Sequence, residues 1–228
     1  MNASTDREIT AYWCKVAQPH FLTALDLLVD MLRNAVFDPD EIEKERGVIL
    51  EELAMSNDHP DERVGLLIDS VLWPNQPLGR DVGGSEESVS NINRDDIVDC
   101  MYTQYVPNNV VVTVAGNIEH EAVVNKLDAW MGDWENRVPM KYFPVLETQD
   151  QPEVSLENRK SDQAHICVAI RGLAAEDPRR FALDLLSIVL GEGMSSRLFQ
   201  ELRENKGLVY DVHSGVSHFS DAGAMNVY

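Results

Sequence analysis

The chain has 228 residues, 44% of them hydrophobic, and carries 39 acidic against 19 basic residues for a formal charge of −20. That length allows one large domain or two small ones with a real core. The charge argues against nucleic acid, whose phosphates need Lys and Arg, and equally against anionic membrane surfaces; it favours a solvated acidic surface, with cationic partners as the alternative.

In chain order, residues 6–18 are rich in β-branched and aromatic types and read as a strand. Pro19-His20 breaks it, and Leu22, Leu25, Leu28, Val29 and Leu32 then recur at helical spacing, predicting a helix over 20–35. A second helix over 39–57 has a clear start: Asp38 as N-cap, Pro39 at N1, and Glu41 where a capping box places an acid. A third helix is expected over 61–72, then a Pro/Gly-rich loop through Trp73–Arg80, then a helix over 94–105. Asn109–Gly116 is a continuous apolar run ended by Gly, which reads as a buried strand. A helix over 119–131 follows.

Residues 132–152 are irregular and rich in Pro, Glu and Gln, and the domain boundary is placed there. The division is an N-terminal domain over 1–137, a linker over 138–152 and the start of a second domain over 153–228. The second domain is read as strands near 153–158 and 164–171, helices over 178–190 and 196–205, a strand over 208–218 and a last one over 223–228. The fold class is α+β.

Candidate chemistry starts on the helix over 39–57. Ile42, Ile49 and Leu53 define an apolar stripe, and Glu45 and Glu52, seven residues apart, share one helix face beside it. Carboxylates beside an apolar stripe are costly unless paired or ligated. A metal ligand with a supporting acid explains the pair; so does escape to solvent at the stripe edge, or pairing with an Arg. The six histidines form no HExxH, HxxEH or HxH, so this chain supplies at most part of a zinc site, and no catalytic residue is assigned. His165 and Cys167 share a strand face and read as core packing. Gly191-Glu192-Gly193 follows a helix, not a strand, and reads as a loop hinge rather than a dinucleotide fingerprint. Arg203, near a helix end, and Tyr210, on the following strand, are placed to grip a carbonyl or oxyanion, or else are a surface Arg and an interface Tyr. Cys14, Cys100 and Cys167 are far apart without a CxxC, reading as free thiols in a reducing, cytoplasmic setting. No window approaches the roughly 18 apolar residues of a membrane span, and Met1–Asp6 has no signal-peptide character.

These residues carry a recognisable order. Met1-Asn2-Ala3-Ser4-Thr5-Asp6-Arg7-Glu8-Ile9-Thr10-Ala11-Tyr12 resembles the NAxTxxExTxY stretch of the pitrilysin/insulinase metallopeptidases, which include the mitochondrial processing peptidase. Glu45–Glu52 resembles their distal glutamate segment. Pro77-Leu78-Gly79-Arg80, Tyr105–Asn109 with Val114–Asn117, Leu190–Phe199 and Leu202–Tyr210 follow in family order, so the resemblance covers essentially the whole chain. It is closest to the short bacterial, processing-peptidase-like branch.

The resemblance implies two related α/β sandwich domains, both incomplete here, and zinc-dependent cleavage of unfolded peptides. It implies an inverted motif, HxxEH, with a third zinc ligand, a Glu, roughly 75 residues downstream. By position that ligand is Glu52, with Glu45 supporting it, and Arg203 and Tyr210 match the family's substrate-contacting pair. The HxxEH helix is expected roughly 25 residues before Met1, so the chain is expected to be a fragment, inactive and binding zinc weakly on its own. A dimer, or a second peptidase half closing a clamshell around the peptide, is the implied partner. The alternative is a non-catalytic structural or regulatory subunit of the same fold.

Overall fold

The computed structural model describes all residues, 1–228. Seven helices, five short strands, three 3₁₀ turns and one π-helix make up the chain. Internal contacts divide it into two units: residues 1–50 with 85–142, and residues 51–84 with 143–228.

In the first unit, β1 (Asn2–Thr5) and β2 (Thr10–Trp13) form an antiparallel hairpin in the register Ala3↔Tyr12. The strand expected over 6–18 is therefore confined to Thr10–Trp13, because its ladder ends where β1 ends. The Tyr12 and Tyr105 hydroxyls lie 2.8 Å apart. Burial, reinforced by that hydrogen bond, pushes the Tyr105 phenol well above its ordinary range. Helix α1 (Phe21–Arg33) buries Ala24, Leu25 and Val29, the face marked by its spacing. Its last-turn Arg33 donates to Asp133 Oδ1 at 2.7 Å and to the Trp130 carbonyl, tying it to the end of α6 (His120–Met131).

Helix α2 (Pro39–Asp58) starts as the sequence indicates, with Asp38 Oδ1 accepting from the Asp40 amide at 2.9 Å. Helix α4 (Glu86–Asn91) carried no apolar signal and is started by the reciprocal pair Ser85 and Ser88. Helix α5 (Arg94–Gln104) is capped by Asn93, whose Oδ1 accepts from Asp95 and Asp96 while its own amide donates to Asp96 Oδ2. Asn93→Ala is expected to cost about 1 kcal/mol of stability, read as a lowered urea midpoint; an unchanged midpoint would show that α5 is held by packing alone.

The expected buried strand over 109–116 is corrected. After a 3₁₀ turn at Pro107–Asn109 the backbone is extended at Val110, but it joins no ladder, and Val111 is 87% exposed. Apolar composition favours an extended path. A strand also needs a neighbouring backbone to receive its N–H and C=O groups, and neither sheet offers one here.

The second unit is built on a three-stranded antiparallel sheet, ordered β3 (Val168–Arg171), β5 (Gly223–Val227), β4 (Ser214–His218). The register Arg171↔Ala224, Ala169↔Asn226 and Val216↔Met225 fixes its faces. On one face, Ala224 and Ala169 pack with Leu72 and Trp73 at the end of α3 (Pro60–Leu72), and Phe219 meets Trp73 edge-on at 5.6 Å. Ser214 and His218, on the opposite face, meet α7 (Arg180–Gly191). The strands expected over 164–171 and 208–218 shorten to β3 and β4, each limited by its overlap with β5.

The strand expected over 153–158 is also corrected: Val154 is 93% and Leu156 90% exposed, and no ladder includes them. Side chains anchor this stretch instead. Glu157 accepts from Arg63 at 2.8 Å and pairs with Arg159, and Arg159 also donates to Asn57 Oδ1. The two guanidiniums, Arg63 foremost, hold the Glu157 carboxyl below its ordinary range.

The helix expected over 196–205 is a π-helix, Phe199–Asn205. It closes with Leu208 N–H on the Leu202 carbonyl and Gly207 N–H on that of Arg203, with Gly207 at φ 60°. This ending needs a left-handed residue, which glycine supplies at no steric cost. Residues 132–152 form no regular element, as their composition indicated.

Candidate functional site

Helix α2 presents the acidic candidates. Ile42, Ile49 and Leu53 are half-buried, while Glu45 and Glu52 are both exposed. Helix geometry places their Cα atoms on one side of α2, about 10 Å apart along the axis. Their neighbour Arg46 takes neither: its guanidinium binds Glu43 at 3.0 Å and donates to the Ile92 carbonyl at 2.8 Å and to that of Val89. Of the readings open in the sequence, pairing with an Arg is thus set aside, and both carboxylates face solvent.

No group of three His, Cys, Asp or Glu side chains is arranged to hold a metal ion. A catalytic zinc takes three protein ligands and a water. The donor set of residues 1–228 does not fit zinc by itself, and Glu52 is at most one ligand among several.

Arg203 lies on the π-helix with its guanidinium over the Phe199 ring, 4.8 Å from the centroid. Tyr210 follows at 84% exposure, at a bend before β4 and so outside the strand expected over 208–218. No hydrogen bond joins the two. Arg203 is exposed beside that ring, and a guanidinium suits a carbonyl or carboxylate acceptor.

The structure also shows a cleft within the second unit that the sequence did not mark, with a volume of about 760 Å³. His165, Cys167, Asp211, His213 and Tyr228 line it beside the first turn of α3. His165 Nδ1 lies 2.8 Å from the Tyr228 hydroxyl, and the His213 ring packs on the Tyr228 ring at 5.0 Å. Burial raises the Cys167 thiol above its usual range. His165 and Cys167 do share one side, as alternation implied, but that side lines a cleft. The three cysteines are free thiols. No helix is long and apolar enough to cross a membrane.

Comparison with known proteins gives this arrangement its context. The family model described as Insulinase (Peptidase family M16) matches residues 1–86, and that described as Peptidase M16 inactive domain matches residues 91–228. The chain belongs to peptidase family M16, the insulinase family. It is 36% identical over 228 residues to a Bacillus subtilis protein described as the uncharacterized zinc protease YmxG, covering all of this chain and 55% of that protein. Among solved structures, a protease from Helicobacter pylori superposes with a TM-score of 0.90 at 24% identity, over 99% of this chain and 56% of the other. A chain of Complex III2 from Candida albicans gives 0.79 at 20% identity, over 100% and 56%. The last two show the shared fold. The chain spans about half the length of the curated relatives it matches.

Proposed function

We propose that the full-length protein is a zinc-dependent metalloendopeptidase that cleaves unfolded peptides, and that residues 1–228 alone are inactive. The carrying observation is the 36% identity, over every residue of this chain, to a relative named as a zinc protease. Domains over 1–137 and 153–228, joined by 138–152, belong to this reading.

In it, Glu52 on α2 supplies one carboxylate to zinc, Glu45 orients the ligands, and the HxxEH residues come from outside residues 1–228. Zinc, when bound, supplies Lewis-acid activation of water toward a peptide carbonyl. Arg203 and Tyr210 hold the peptide through acceptor-seeking N–H and O–H groups. The partner is a second peptidase half or a dimer mate, the setting is cytoplasmic, and the acidic charge selects basic peptides. The position of Glu45 and Glu52 in the family's glutamate segment supports these roles; their exposure on one side of α2 also satisfies the solvent-edge reading.

The test compares chelator-sensitive hydrolysis of a mixed peptide library by the full-length protein and by residues 1–228. Hydrolysis by the full-length protein alone is expected; zinc-dependent cleavage by residues 1–228 would refute the second part of the reading. A non-catalytic structural or regulatory subunit of the same fold is the second reading; the match of residues 91–228 to a domain described as inactive suits both, since relatives named as zinc proteases span those residues too. Absence of hydrolysis by the zinc-loaded full-length protein would establish it.

A further inference from the structure

Helix α7 is docked the wrong way round for an amphipathic helix. Ser187 and Gly191 are buried against the sheet, with Leu183, Asp184 and Leu190 half-buried beside them, whereas Phe181, Leu185, Ile188 and Val189 are exposed and the Asp184 side chain keeps 41% of its surface open. The contact with β4 is accordingly polar. Ser187 Oγ lies 3.0 Å from Ser214 Oγ, and Ser214 Oγ donates to the Ser187 carbonyl at 2.8 Å. A Cβ on Gly191 would come within 2.4 Å of the Ser214 amide nitrogen, so the backbones meet directly at this end.

The other end of the interface is a histidine. His218 Nε2 lies 2.9 Å from Asp184 Oδ1, and its Nδ1 lies 2.6 Å from the Leu173 carbonyl, just after β3. The side chain is 14% exposed. An ionised carboxylate and a carbonyl only accept, and a neutral imidazole has one N–H. Both contacts are satisfied together only when both ring nitrogens carry protons.

We propose that His218 is an imidazolium clamp that pins the start of α7 to β4 and to the segment after β3, and that deprotonation opens it. The groups facing the ring are the Leu173 carbonyl, the Asp184 carboxylate and, one turn earlier on α7, Arg180. The Leu173 carbonyl, then Asp184, raise the imidazole above its ordinary pKa, against burial and the Arg180 charge. A group raised in the folded state contributes stability that is complete below its unfolded pKa and lost as pH rises through the folded one. The Ser187–Ser214 contact does not titrate in that window. Alkaline release therefore frees the Asp184 end of α7 while the Gly191 end, leading to Arg203 and Tyr210, stays docked.

The test is imidazole nitrogen NMR on the purified 228-residue chain labelled at histidine, beside an unstructured histidine peptide in the same buffer. Both His218 ring nitrogens are expected to be protonated where the peptide is half-titrated, with a higher His218 midpoint. Asp184→Asn is expected to lower that midpoint. In urea unfolding from about pH 6 to about pH 9, the wild type loses stability and His218→Gln loses the dependence, each unit of pKa displacement being worth about tenfold in the unfolding constant. A single protonated ring nitrogen, or a midpoint at or below the peptide's, overturns the proposal, and that measurement needs no variant to fold.

Discussion

Glu52→Gln in the full-length protein is expected to abolish zinc retention, while Glu51→Gln leaves it intact. The two carboxylates are adjacent on α2, both exposed, and differ by about 100° around the helix axis. Neither substitution disturbs a packed contact, so folding is expected to be equal and zinc content isolates the ligand role. Glutamine keeps the shape but loses the charge that a divalent cation requires of its carboxylate ligand. Glu45→Gln, two turns away, is expected to be intermediate, with a loss of roughly 10–100-fold in zinc affinity typical of a group that orients a ligand. Equal zinc in the Glu51 and Glu52 variants by metal analysis would remove Glu52 from the site and, with it, the main chemical support for the peptidase reading.

Trp73→Ala is expected to be the most destabilising single change in the second unit. Trp73 is 1% exposed, packs with Leu72 and Ala224, and meets the Phe219 edge at an interplanar angle of 83°. Its main chain is engaged too: its amide donates to the Asp69 carbonyl at 2.9 Å, ending α3. Truncation leaves an aromatic-sized hole between α3 and the sheet, at a cost of about 3–5 kcal/mol. Trp13, on the half-exposed β2, provides the contrast: Trp13→Ala should stay within about 0.5 kcal/mol. Urea unfolding followed by circular dichroism checks both, and equal shifts would mean that the Leu72–Trp73–Ala224 cluster does not hold the sheet to α3.

Helices were the legible part of the fold. The spacing of Leu25 and Val29 and the Asp38–Pro39 start each act within a few residues, so α1 and α2 appear within a residue or two of where the pattern puts them. Helix α4 escaped notice because its start rests on two serine side chains rather than on apolar period. Strands were over-assigned for the opposite reason. Asn109–Gly116 and 153–158 have strand composition, yet a ladder needs a partner backbone, which no local pattern specifies. At the candidate site, Glu45, Glu52, Arg203 and Tyr210 could be singled out because motif order is a property of the chain. The pairing of His218 with Asp184, 34 residues away, could not.

By itself, then, the sequence determined the acidic charge, the helical periods and caps, and the ordered motifs that place the chain in its family. Each of these is carried by residues close together along the chain or by their order. Tertiary structure alone decided which extended segments became strands, which side of α7 met the sheet, and which acceptors enclosed His218. Those outcomes depend on backbones and polar groups brought together from distant positions, where one unpaired donor or one extra Cβ changes which contact can form.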